Sequence, residues 1–276
     1  MKNCILGVLL VLFIYSCSEA LVFEESIEVY GHAYGNPKSK IKGIYGPLKT
    51  HIQIIEKKKE LVFNGDFIRA NDSSEISNLL DDIYPYRNKA TFIRANHEFI
   101  YDNDSLNDLI LNKKSHFIFG LASIYLWESY QNQWNLTDEQ IGILRKDQSE
   151  LIIIISPEVF WWELIEEEKN AGKIDLSVYT RQYNSDANRS VVPNFARDVL
   201  PVLKNKKTVI LIAGDAGALT YVSPYYILEK ENITAVNSGM ALGKEDNYVE
   251  INKLKAGGVK VYLRSLLTKE IIEELN

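Results

Sequence analysis

Apolar positions along the chain fall into short runs, some alternating with polar residues and some continuous. Ile27 and Val29 alternate with polar neighbours through Ser26–Tyr30, the pattern of a half-buried strand. Leu61-Val62-Phe63 and Phe92-Ile93 are compact runs that stop abruptly, the first at Asn64-Gly65-Asp66 and the second at Arg94-Ala95-Asn96-His97-Glu98. Between them, Asp72-Ser73-Ser74-Glu75 opens an amphipathic stretch carrying Leu79, Leu80 and Ile83, an acidic start that predicts a helix. Strand, helix, strand is a βαβ unit with a right-handed crossover. Its two polar ends then share one edge of a parallel sheet, where open α/β folds carry their sites.

The rest of the pattern extends this picture. Leu48 to Lys59 predicts a helix with Leu48, Ile52, Ile54 and Ile55 inward, and Ser105 to Asn112 a shorter one. His116–Gly120 and Ala122–Leu126 predict two short strands around a glycine. Thr137 followed by Gln140 predicts a capped helix start, and the aliphatic run Leu151–Ile155 a fully buried strand. The polar stretch from Glu166 to Pro193 reads as a long loop near the site. A helix over Asn194–Leu203 and a buried strand over Thr208–Ile212 follow, and that strand ends Ala213-Gly214-Asp215-Ala216-Gly217. Ile233–Val236, Tyr248–Ile251 and Val259–Leu263 predict three antiparallel strands, with a closing helix at Lys269–Leu275. βα units followed by β-hairpins fit two sheets packed face to face and flanked by helices.

The N-terminal run from Ile5 to Tyr15, preceded by Lys2, has the length of a signal h-region and is too short to span a bilayer. It ends Ile14-Tyr15-Ser16-Cys17, which resembles a bacterial lipobox, so residues 1–16 are expected to be a lipoprotein signal peptide and Cys17 the lipidated residue. Residues 17–25 would then tether residues 26–276 to the cell envelope. The rival is cleavage after Ser18-Glu19-Ala20, which would give a periplasmic or secreted protein. The only cysteines, Cys4 and Cys17, lie in or at the end of this segment, which excludes thiolate chemistry and disulfides from the exported domain. Of 276 residues 46% are hydrophobic and 25% charged, an ordinary globular composition. A net charge of −6 argues against a nucleic-acid partner.

Gly65-Asp66, followed about thirty residues later by Asn96-His97-Glu98, resembles the Gly-Asp and Asn-His-Glu blocks of the calcineurin-like metallophosphoesterase superfamily. Tyr30-Gly31-His32 falls where that family has Asp-x-His, and Trp134, Leu136 and Gln140 match a further spacing. The resemblance implies a four-layer α/β/β/α sandwich of two mixed sheets. It also implies a divalent metal (Mn, Zn or Fe), a phosphate-ester substrate, and in-line phosphoryl transfer assisted by metal ions. Carried over residue by residue, it makes His32, Asp66, Asn96 and Asp215 metal ligands and His97 the group that protonates the leaving oxygen. The departures are Tyr30 in place of a carboxylate, Ser156-Pro157 in place of a histidine, and Gly217 in place of the second histidine of a Gly-His-x-His block. Three protein ligands are usual for a catalytic zinc, so the pattern implies one ion and an incomplete second site.

Other residues carry two readings each. Alone, His32 could be a turn histidine bonded to backbone. Arg94 and Arg69 could grip phosphate oxygens or pair with Asp81 or Asp82. Glu158 and Trp161, with Trp162, could form a substrate lip or cover the sheet as core. His51 reads as a surface residue and His116 as packing or exposed. Two functions follow: an exported metal-dependent phosphoesterase with a reduced site, or an envelope-anchored, non-catalytic binding module that keeps the phosphoesterase fold.

Overall fold

The computed structural model describes residues 23–35, 43–54, 59–69, 73–95, 97–98, 115–128, 133–171, 193–216, 225–240 and 244–275. Twelve strands are described, in two mixed sheets of six. The first sheet begins with β1 (Phe23–Gly31), α1 (Gly46–Ile54), β2 (Lys59–Asn64), α2 (Ser73–Ile83) and β3 (Ala90–Ile93). β1, β2 and β3 are parallel neighbours, with Val29 opposite Val62 and Val62 opposite Thr91. Their C-terminal ends therefore share one edge, as the βαβ pattern requires.

The second sheet is built from β4 (His116–Phe119), β5 (Ala122–Leu126), α3 (Asp138–Lys146), β6 (Leu151–Ser156), α4 (Trp162–Asn170), a π turn over Phe195–Val199, α5 (Leu200–Leu203), β7 (Thr208–Ala216), β8 (Tyr226–Lys230) and β9 (Ile233–Gly239). The chain then returns to the first sheet as β10 (Asn247–Leu254), β11 (Val259–Ser265) and β12 (Ile271–Glu274). The strand orders are β12-β11-β10-β1-β2-β3 and β4-β5-β6-β7-β9-β8. Strand periodicity explains the layering. Ile27, Val29, Val62, Ile93, Val249 and Ile251 meet Ile124, Ile153, Ile155, Ile210 and Ile212 in a core between the sheets. The alternate residues of the first sheet pack under Leu48, Ile52, Ile76 and Leu79 of its helices. Those of the second pack under Ile141, Leu144, Leu164 and Leu203. The expected four-layer sandwich is the fold.

Several local expectations change. The α1 helix is described to Ile54, residues 55–58 lie outside the described set, and Lys59 opens a strand paired with β1 opposite Ser26. The polar stretch after Glu166 begins as helix, inside α4, and residues 172–192 lie outside the described set. So does the whole of the expected Ser105–Asn112 helix, which falls within residues 99–114. The last three expected strands do not form one antiparallel set, since β9 joins β7 in parallel in the second sheet while β10 joins β1 and β11 joins β10 in the first. The closing helix is a strand, β12, paired to β11. Ile271 and Ile272 there are β-branched, and the open flank of β11 offers them a ladder. The Thr137 capping box forms as expected, its hydroxyl accepting from the Gln140 N–H and the Gln140 amide oxygen accepting from the Thr137 N–H.

Candidate active site

The turns that leave β1 and β2 carry the two central residues. His32 follows Gly31, and Asp66 follows Gly65. Both His32 (φ +53°) and Asp66 (φ +49°) adopt left-handed backbone, uncommon for residues with a Cβ and typical of functional turns. Both are buried. The His32 Nδ1 lies 3.0 Å from the Met240 carbonyl oxygen, which can only accept, so Nδ1 carries the ring hydrogen and donates it. The basic nitrogen is then Nε2, 3.7 Å from Asp66 Oδ2 and without a hydrogen-bond partner among the described residues. Burial pushes the His32 imidazole down to about 4, so the ring is neutral at pH 7. A lone pair on nitrogen thus faces a carboxylate oxygen in a buried turn. Two electron-pair donors held that way repel unless a cation lies between them.

The turn after β3 adds His97. Its Nδ1 is 3.1 Å from the Arg69 carbonyl, which again places the hydrogen on Nδ1 and the basicity on Nε2. Burial lowers its pKa. The Tyr34 ring joins the two imidazoles, with centroids 4.2 Å from His32 and 5.3 Å from His97. The structure therefore brings His32, Asp66 and His97 together. Asn96 and Gly217 lie outside the described residues, and Asp215 belongs to β7 by its backbone. Among the described residues, no group of three His, Cys, Asp or Glu side chains could hold a metal. His32 and Asp66 are a partial donor set. The nitrogen and carboxylate pair suits a borderline divalent ion such as zinc, manganese or iron.

Glu98 has a part in this site that the pattern alone did not assign. Its buried carboxylate accepts from the N–H groups of Asp66 (3.1 Å), Phe67 (2.9 Å), Ile68 (3.2 Å) and Ala95 (2.9 Å). It thereby fixes the β2 turn against the β3 turn. Burial pushes Glu98 up to about 7, while the four donors work in the opposite sense. The only sequence signal was its place in the Asn-His-Glu block.

Tyr30, at the position of the missing carboxylate, turns away from this group. It is wholly buried under α1 and its hydroxyl donates to Glu28. Arg94 forks onto Glu128, with Nε at 3.2 Å and Nη2 at 3.3 Å, and Arg69 pairs with Glu75 at 3.6 Å. Neither of these pairs involves Asp81 or Asp82. The aromatic lip is corrected: Trp161 has 0% exposure within the outer core, so its ring has no face to offer a ligand. Glu158 beside it is also buried. His51 is likewise corrected from surface to buried, bonded to Glu28 at 2.8 Å, whereas His116 is exposed and stacks on Tyr125.

Neither a family model nor a curated protein matches the sequence. Among solved structures, a purple acid phosphatase from yellow lupin (Lupinus luteus) seeds is similar over 91% of this chain and 53% of its own, at 11% identity and a TM-score of 0.60. A 5'-nucleotidase from Candida albicans covers 90% and 54%, at 11% identity and a TM-score of 0.44. Vps29 from Chaetomium thermophilum covers 87% and 97%, at 12% identity and a TM-score of 0.33. The chain spans about half the length of the first two. At these identities the likeness concerns architecture, and at TM-scores under 0.5 the last two add no argument. The fold of this chain is the calcineurin-like metallophosphoesterase fold.

Proposed function

We propose that this chain is an exported, metal-dependent phosphoesterase working with a reduced, single-ion site. The observation that carries the reading is the neutral Nε2 of His32, buried, without a hydrogen-bond partner among the described residues, and 3.7 Å from the Asp66 carboxylate. His32 and Asp66 would hold a divalent ion, with Asn96 and Asp215 as candidates to complete its shell. When bound, the ion supplies Lewis acidity toward a phosphoryl oxygen.

The chain's own groups do the rest. Met240 fixes the His32 tautomer, as outer-shell carbonyls do for metal-binding imidazoles. Glu98 holds the Asp66 turn in its left-handed form. His97 Nε2 is the local proton carrier. Because burial disfavours its doubly protonated form, the imidazolium, once formed, gives up its proton readily, as protonation of a leaving oxygen requires.

The test is metal content and turnover on one sample. Purified protein should bind about one equivalent of Mn²⁺ or Zn²⁺ and release nitrophenol from an aryl phosphate ester. Asp66→Asn should abolish both, and His97→Ala should cut turnover roughly 100-fold while ion binding persists. An ion-free protein, or unchanged activity in Asp66→Asn, rejects the reading.

A second reading is favoured by Tyr30, which stands where a carboxylate ligand would and is turned away to Glu28. It is a phosphate-ester binding module without turnover, for which saturable ester binding with no product is the distinguishing result. Envelope anchoring through Cys17 belongs to both readings. Fatty-acid labelling that disappears in Cys17→Ser would support it, and a labelled Cys17→Ser would not.

A further inference from the structure

On the outer face of the first sheet, beside α1, lies a second cluster of charged groups. Glu28 of β1, His51 and Ile54 of α1, Lys59 of β2, Tyr248 and Glu250 of β10, Arg264 of β11 and Lys269 line a cleft of about 320 Å³. Such a cluster beneath a helix is unusual, because Glu28 has 0% exposure and the neighbouring His51, Tyr248 and Glu250 are also buried. Its internal bonding is one-sided. Both oxygens of Glu28 are taken, one by Lys59 at 2.5 Å and the other by His51 at 2.8 Å and Tyr30. Both oxygens of Glu250 are taken as well, by Lys59 at 2.8 Å and by Arg264 Nε.

The donors are not used up in the same way. Lys59 has three ammonium hydrogens and two carboxylate partners. Arg264 uses Nε and Nη1, the latter on the Lys269 carbonyl at 2.8 Å, which leaves Nη2. Lys269 Nζ donates once, to the Leu266 carbonyl. The Tyr248 hydroxyl has no hydrogen-bond partner among the described residues, and burial with the nearby carboxylates raises its pKa, so it keeps its proton. Three cations stand against two carboxylates. The cleft therefore presents spare N–H and O–H donors, carboxylates whose oxygens are all engaged, and one excess positive charge, with His51 Nδ1 the vacant acceptor among the described lining atoms.

We propose that this cleft is a binding site for a small phosphate-bearing anion, separate from the Asp66 site. A tetrahedral oxyanion has acceptors on every side and suits donors arriving from β2, β10, β11 and the segment before β12. A neutral ligand would gain nothing from the excess charge, and a cation would find no vacant carboxylate oxygen. The volume exceeds that of inorganic phosphate alone and admits a substituent on it.

Calorimetry with inorganic phosphate on the full chain tests this, in a chelator so that no ion occupies the Asp66 turn. The expected result is saturable uptake of about one equivalent, unchanged in Asp66→Asn, and weakened at least roughly tenfold in Lys269→Met and in Arg264→Gln. Arg264 also pairs with Glu250, so a misfolded Arg264→Gln is replaced by Tyr248→Phe. That change deletes only a hydroxyl with no hydrogen-bond partner among the described residues and should weaken phosphate about threefold or more at unchanged melting temperature. No saturable uptake, uptake abolished by Asp66→Asn, an equal response to chloride, or indifference to both Lys269→Met and Tyr248→Phe overturns the proposal.

Discussion

Tyr30 and Glu28 lie two positions apart on β1 and so share its outer face. From sequence, Tyr30 occupies the place of a ligand. In the fold its ring packs on Phe63 and Tyr248, and its hydroxyl caps the Glu28 cluster. Tyr30→Asp therefore does not restore a metal ligand. It leaves a cavity and brings a carboxylate beside Glu28, so it should cost about 3 kcal/mol or more. Urea melts and a metal titration check this, and a gain in ion affinity would show that the side chain reaches the site after all. The residue scale is where the sequence was most and least informative. His32, Asp66 and His97 were visible because each ends a predictable strand. The packing of Tyr30 on Phe63 and Tyr248, the burial of His51 against Glu28, and the Asp66, Phe67 and Ile68 donors to Glu98 depend on partners more than twenty residues away, and no local pattern encodes them.

At the scale of elements, the two sheets touch most closely beneath the site. A Cβ on Gly31 would lie 2.4 Å from the Gly214 oxygen, and one on Gly214 would lie 2.1 Å from the Asn64 oxygen. Gly214 N–H also donates to the Pro157 carbonyl at 2.9 Å, and Asn64 Nδ2 to the Ser156 carbonyl at 3.0 Å. The glycines let β1, β2 and β7 converge backbone on backbone, and Ser156-Pro157 is part of that seam. Gly214→Ala should force the sheets apart, destabilise by about 1–3 kcal/mol and lower ion affinity with it. A variant as stable as the parent would mean that the seam yields easily. By contrast Thr137→Ala, remote from the seam, should cost about 1 kcal/mol in chemical denaturation with ion binding unchanged. The capping box was legible because it is local. β12 was not, since Lys269–Leu275 has a helical distribution of apolar residues and only the vacant flank of β11 decides for strand.

For the whole molecule, charge buried on the outer face makes stability depend on acidity. Burial alone would raise the Glu28 pKa, but hydrogen bonding from His51 and the charge of Lys59 hold it at about 2, against an ordinary 4.5. An acid depressed in the folded state contributes stability that is complete above the unfolded pKa and drains away as pH falls toward the folded one. The contribution is at most roughly 3 kcal/mol. The stability advantage over Glu28→Gln should thus shrink progressively below about pH 4.5, and an advantage constant down to pH 3 or so would contradict the pairing. The sandwich itself was readable from the alternation of short strands and helices. Which sheet receives β9, β10 and β11 was not, because that choice is made by distant pairing rather than by period.

That pairing also orders events in time. β1 lies between β2 and β10, with Ile27 opposite Ile251, so one flank of the opening strand waits for a segment near the end of the chain. Contacts of such sequence separation close slowly. The first sheet cannot be completed before the chain has been made through Leu254, and until then β1 keeps an open edge on that flank.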